Sequence, residues 1–140
     1  MGKEIAELLA QKTGLPLITR DLAITEWLPE VANKHELHML AESPGFFLNT
    51  SSSGLTFAQY LENKLKDFIA RQPAIIFGLG AQIIFADHPS AVHVKIIASP
   101  EVRTTRIMHQ HNLGFLIAIG PFNQNSGWIM DLSVVCCFCF

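Results

Sequence analysis

Ala74-Ile75-Ile76-Phe77-Gly78-Leu79-Gly80-Ala81 is the stretch on which the fold turns. Four apolar residues in a row, with no polar alternation, describe a strand covered on both faces, as in a parallel sheet between helices. The Gly-x-Gly that follows ends the strand in a tight turn at its carboxyl end, which is where α/β proteins bind ligands. A dinucleotide-binding G-x-G-x-x-G is rejected, because Ile83 holds the third glycine position.

Working outward, the pattern alternates between helix and strand. Downstream, Ala91 to Ala98 reads as a second strand with Val92, Val94 and Ile96 on one face. Ser99 then caps a helix that has Pro100 at its first position and Glu101 in its first turn, carries Arg103 and Arg106, and fades near His111-Asn112. Upstream, Thr56-Phe57-Ala58-Gln59 is a capping box, and Phe57, Leu61, Leu65, Phe68 and Ile69 form a helical stripe toward Arg71. Ser43 to Gly54 is a loop. Leu22 to Leu28 and Glu30 to Ala41 read as helix, broken at Pro29. Leu15 to Thr19, containing Pro16, is short and extended. Gly2 to Thr13 is an amphipathic helix with Ile5, Leu8 and Leu9 on one face and Gly14 as its stop. This rhythm predicts an α/β layer with a mostly parallel sheet.

Charge divides the chain. All 10 basic and 12 acidic residues except Asp131 lie between Lys3 and Arg106, while residues 114–140 hold every cysteine and four of the ten phenylalanines. We therefore expect an α/β domain over residues 1–113 and an apolar tail over 114–140. The tail lacks a period of 3.6 or 2, is expected to add nothing to the core, and reads as a frame change or aberrant 3′ end. Its apolar runs, Phe115 to Ile119 and Val134 to Phe140, are shorter than the ~20 residues a membrane helix needs. The net charge of −2 excludes a basic nucleic-acid-binding surface. Cys136, Cys137 and Cys139 match neither a disulfide framework nor a zinc spacing, and with no signal segment at Met1 they point to a cytoplasmic protein.

Four stretches, in order, carry a family resemblance: Gly2-Lys3-Glu4-Ile5-Ala6 with Leu8-Leu9 and Gly14-Leu15-Pro16; Thr19-Arg20-Asp21-Leu22; Ile75 to Ala81; and His93 to Arg103 with Arg106. From Gly2 to Asn112 the chain resembles the cytidylate-kinase-like family of P-loop nucleoside monophosphate kinases. The resemblance implies a three-layer P-loop kinase-like fold, here partial and without its first strand. It implies phosphoryl transfer from ATP, with Mg2+, to a nucleoside monophosphate, chemistry that rests on positioning and charge neutralisation. Gly2 and Lys3 match the end of the glycine-rich phosphate loop, whose earlier glycines and strand would precede Met1. Arg20, Gly78, Gly80, Arg103 and Arg106 become nucleotide-binding candidates. Three departures weaken the site. Thr19 stands where the family usually has aspartate, and Leu79 replaces the arginine of Gly-Arg-Gly, losing a bidentate fork. The arginine-bearing lid is replaced by the apolar tail.

Each candidate has a plainer reading beside it. Lys3 is either a phosphate contact or a solvated terminal lysine, and the second is preferred. Arg20 either holds the acceptor or pairs with a carboxylate. Gly78 and Gly80 form a tight turn first and a ligand loop second. Arg103 and Arg106, three apart, share a helix face that is solvated unless a lid covers it. His35, His38, His109 and His111 read as scattered surface histidines, so neither a metal site nor a catalytic set is assigned. The expectation is a kinase-like domain, inactive as these 140 residues and prone to self-association. Alternatives are a non-enzymatic nucleotide-binding or protein-interaction module and a tail-anchored membrane-associated protein.

Overall fold

The computed structural model describes residues 2–111 and 134–139. The apolar run from Phe115 to Ile119 lies outside them. Of the described residues, 2–94 with 134–139 belong to one compact unit and 95–111 to a second.

The first unit opens with helix α1 (Gly2–Thr13), closed by Gly14 at φ +71°. Its buried residues are Gly2 and Ala6, a small-residue pair one turn apart. These lie on the side that packs against the sheet. The expected apolar stripe is not the buried one, since Ile5 and Leu8 are 40% and 52% exposed. Close approach of a helix to a strand favours residues without long side chains, so the small positions face inward.

Strand β1 (Leu17–Ile18) follows, then a short helix α2 (Arg20–Leu22) that runs into a π-helical turn (Ala23–Trp27) and a 3-10 turn (Leu28–Glu30). Helix α3 spans Lys34–Glu42 and starts later than the expected Glu30. Asn33 accepts from the amides of His35 and Glu36, and the Glu36 carboxylate accepts from the Asn33 amide. This capping box fixes the start. After a 3-10 turn over Pro44–Leu48, helix α4 (Phe57–Ile69) carries the capping box of Thr56 and Gln59. Leu61 and Leu65 of α4 enter a core with Ile18, Ala23, Ala74, Ile76, Ala81 and Phe85. Phe57 enters a second core with Leu28, Val31 and Leu40.

Strand β2 (Ile75–Phe77) is buried at Ile75 and Ile76, as its unbroken apolar run requires. It pairs in parallel with β1, Leu17 opposite Ile75 and Ile18 opposite Ile76. The short helix α5 (Ala81–Ile84) and strand β3 (Ala91–Ile96) follow. Val92 and Val94 of β3 are exposed. In the second unit, helix α6 spans Pro100–His111, with Ser99 Oγ accepting from the Val102 amide at 3.4 Å.

Within the stretch expected to add nothing to the core, Val134–Cys139 forms strand β4. It pairs antiparallel with β2, placing Cys136 opposite Phe77, Cys137 opposite Ile76 and Phe138 opposite Ile75. The sheet order is β1-β2-β4-β3, so β4 lies inside the sheet, and α1 and α5 pack against it. The valines and phenylalanine favour extended backbone.

Candidate functional site

Two of the four family-like stretches meet where α1 and α2 begin. The Lys3 ammonium donates to Asp21 Oδ2 at 3.1 Å, with both side chains more than half exposed. That hydrogen bond, reinforced by the carboxylate's charge, holds the Lys3 ammonium above its ordinary pKa. Thr19, at the position where an aspartate was expected, caps α2: its Oγ1 accepts from the Leu22 amide at 3.2 Å.

Arg20 turns away from this pair and closes another helix. Its Nη2 donates to the carbonyls of Leu40 and Ala41, the latter at 3.1 Å, in the last turn of α3. A cation here satisfies end carbonyls and complements the negative end of the helix dipole. The guanidinium carbon also lies 5.6 Å from the centre of the Phe47 ring. Its Nε is buried without a partner. Of the two readings left open for Arg20, neither carboxylate pairing nor anion contact describes these bonds; the acceptors are backbone carbonyls.

At the end of β2, Gly78, Leu79 and Gly80 all have left-handed backbones, with φ of 76°, 60° and 70°. Ala81 donates to the Gly78 carbonyl at 3.1 Å, and Ile83 and Ile84 donate to Gly80, which makes the tight turn. No atom lies within 4 Å of a Cβ built at Gly78 or Gly80, so backbone conformation and not crowding calls for glycine there. Leu79 has a Cβ in this conformation, at a typical penalty of about 1–2 kcal/mol, and packs its partly buried side chain against the first core. Arg103 and Arg106 lie on α6 in the second unit.

A cluster that sequence reading missed joins Glu30 to α4. Glu30 Oε2 accepts from Tyr60 Oη at 2.6 Å and from Lys64 Nζ at 2.7 Å. Lys64, then Tyr60, hold the Glu30 carboxyl below its usual range. Burial, with Glu30 as acceptor, pushes the Tyr60 phenol up. Tyr60 and Lys64 stand one helical turn apart, which is legible; their partner 30 residues earlier is not. Glu30 also borders an open cleft of about 520 Å³ between Pro29–Asn33, Glu36 and Thr50–Ser52. A smaller cleft of about 340 Å³ lies between the end of α4 and α5. Neither cleft is lined by Gly2, Lys3, Arg20, Gly78 or Gly80.

Among the described residues, no three His, Cys, Asp or Glu side chains converge as a metal site. As folded, the start of α1 presents an ion pair, with Glu4 in the first turn complementing the helix dipole. The described residues at this end do not form a cradle for Mg2+ and a triphosphate. No helix among the described residues is long and apolar enough to cross a membrane.

The parallel β1–β2 pair with its flanking helices makes this a mixed α/β protein, an architecture consistent at family level with the general P-loop kinase-like fold. The chain belongs to the cytidylate kinase-like family, whose model matches residues 1–115. No curated protein and no solved structure matches it.

Proposed function

We propose that the chain is a nucleoside monophosphate kinase-like domain of the cytidylate-kinase class, and that residues 1–140 do not by themselves transfer a phosphoryl group. ATP, Mg2+ and a nucleoside monophosphate are the ligands that the family relationship supports for the class. In this reading the sheet is part of a three-layer P-loop kinase fold, within which β4 takes an interior place. Gly2 and Lys3 are the candidates for the phosphate side, and Arg20, Gly78, Gly80, Arg103 and Arg106 for the nucleotide side.

The observation that carries the inactive reading is the engagement of Arg20. Phosphoryl transfer depends on cations converging on the transferring group. Here the guanidinium holds the end of α3, and Leu79 puts an alkyl chain where the family's Gly-Arg-Gly has a fork. The test is a coupled assay of purified residues 1–140 with ATP, Mg2+ and CMP, run beside Lys3→Ala. No turnover above background is expected. Turnover that falls in Lys3→Ala refutes the proposal.

The same engagement favours a second reading, a module that binds or interacts without catalysis, because a guanidinium bonded to the end of α3 is not presented to a transferring phosphoryl group. Calorimetric titration with CMP tests the binding half of this reading: saturable binding supports a nucleotide-binding module, and no binding leaves protein interaction as its remaining form.

A further inference from the structure

We propose that the cleft between the end of α4 and α5 is a homodimer surface, in which two copies of this chain each seat Ile83 in the other's cleft. Ile83 is 77% exposed although it stands on a helix. Its place is fixed from beneath. The Ile83 and Ile84 amides donate to the Gly80 carbonyl, and Phe85, two residues on, is buried in the first core. The other wall, α4, is anchored in the same core by Leu61 and Leu65. A lone exposed isoleucine is ordinary. Here it borders a cleft of about 340 Å³ that Ile69 and Ile84 also line, so an apolar knob and an apolar hollow share one face.

Charge selects the occupant. The α4 side of the cleft carries Lys66 and the α5 side carries Asp87. Asp87 follows Ile83 by four residues, so a second copy that seats its Ile83 in the cleft brings its Asp87 to the same cleft, where Lys66 stands. Two-fold symmetry repeats the contact: each copy gives one knob, one anion and one cation, and receives the same set. Lys66 already donates to Glu62 at 2.6 Å, one turn earlier in α4. An ammonium has three donors, so it takes a second carboxylate while keeping the first. Among the described residues Asp87 forms no ion pair. His88, the third titratable group in the cleft, is held as part of the wall: its Nδ1 accepts from the Ser90 amide at 3.3 Å, and its ring meets Phe85 edge to face.

A small molecule in the hollow would leave the outward side of Ile83 in water, whereas a second copy covers knob and hollow together. Eight residues line the cleft, against about 20–30 a side in a standard interface. The dimer is therefore weak and depends on concentration.

The experiment is sedimentation equilibrium of the full chain from about 10 µM to about 1 mM, the range in which so small an interface associates. Monomer at the low end and dimer at the high end is expected. Ile83→Asp is expected to weaken association at least about tenfold, with circular dichroism and thermal midpoint unchanged because the position is exposed. Lys66→Glu or Asp87→Lys alone sets like charges against each other and weakens association about threefold or more. The two together return it to within about twofold of the unsubstituted chain, since the pair is restored with its signs exchanged. Ile83→Ser is read in the same way if Ile83→Asp does not fold. Monomer at every concentration overturns the proposal, as does a dimer that the Ile83 variants leave intact, or a double reversal no tighter than the single ones. A chain that stays monomeric yet binds the apolar dye anilinonaphthalene sulfonate, and loses it in Ile83→Asp, would give the cleft to a small molecule and overturn the dimer.

Discussion

Replacing Arg20 with alanine separates a guanidinium that holds the fold from one that holds a ligand. In the structure its Nη2 donates to the Leu40 and Ala41 carbonyls, its charge lies at the end of α3, and its guanidinium carbon lies over the Phe47 ring. Hydrogen bonds from a charged donor contribute roughly 1.5–3 kcal/mol, a cation at a helix end about 0.3–1, and a cation over an aromatic ring about 0.5–1. Against these stands the unpartnered buried Nε, whose loss on substitution returns about 1–3 kcal/mol. The net expectation for Arg20→Ala is a destabilisation of about 2 kcal/mol, or several degrees in the thermal midpoint. Arg20→Lys keeps the charge but not the planar fork, and is expected to fall between alanine and wild type. Urea titration followed by circular dichroism measures both, with a lower midpoint and an unchanged slope. A loss within about 0.5 kcal/mol, the range of an ordinary surface change, would refute the capping role. If that small loss came with abolished CMP binding, the arginine would belong to the acceptor site.

Three further outcomes are expected. Thr56→Ala removes the cap of α4 and should destabilise by about 1 kcal/mol in the same urea titration, with Thr56→Ser close to wild type. Glu30 has a folded pKa below its ordinary 4.5, so its contribution is present above that value and is lost as pH falls through the lowered one. Stability measured from pH 6 down to pH 3 should therefore decline less steeply in Glu30→Gln than in wild type, and equal slopes would contradict the ion pair. Leu79→Gly relieves a left-handed backbone, worth about 1 kcal/mol, but gives up partly buried apolar area of similar worth, so a midpoint near wild type is expected. A large loss would place most of the Leu79 side chain's value in packing.

The elements that were legible carry their own punctuation. α1 ends at Gly14, α4 begins at its capping box, and β2 stops at Gly78, so each boundary is written within a few residues of itself. The start of α3 was written too, in Asn33 and Glu36, but the proline at 29 is the louder local signal and was read instead. β4 was missed although its unbroken apolar run is the same kind of signal that marked β2, because its partner lies some sixty residues earlier and the loss of charge around it is the louder feature. The site shows the same divide. Lys3 and Arg20 can be nominated from their stretches, yet a guanidinium suits a phosphate and a helix-end carbonyl equally well. Only the fold shows that Leu40 and Ala41 stand within its reach.

The turn from Gly78 to Gly80 also bears on handedness. Three successive residues with positive φ trace locally the mirror image of an ordinary right-handed turn. A D-amino acid prefers that conformation as strongly as an L-residue prefers its opposite. At these positions the backbone suits the enantiomer of every residue except glycine, and the two glycines are the genetic code's nearest approximation to it. A semisynthetic chain with D-alanine at 78 or 80 would have fewer unfolded conformations to lose, a gain of about 0.4–1 kcal/mol where the added methyl fits. No L-residue at the same place would share that gain. The segment on which the fold turns is thus, among the described residues, a run of three where the stereochemistry of the building blocks works against the shape they adopt.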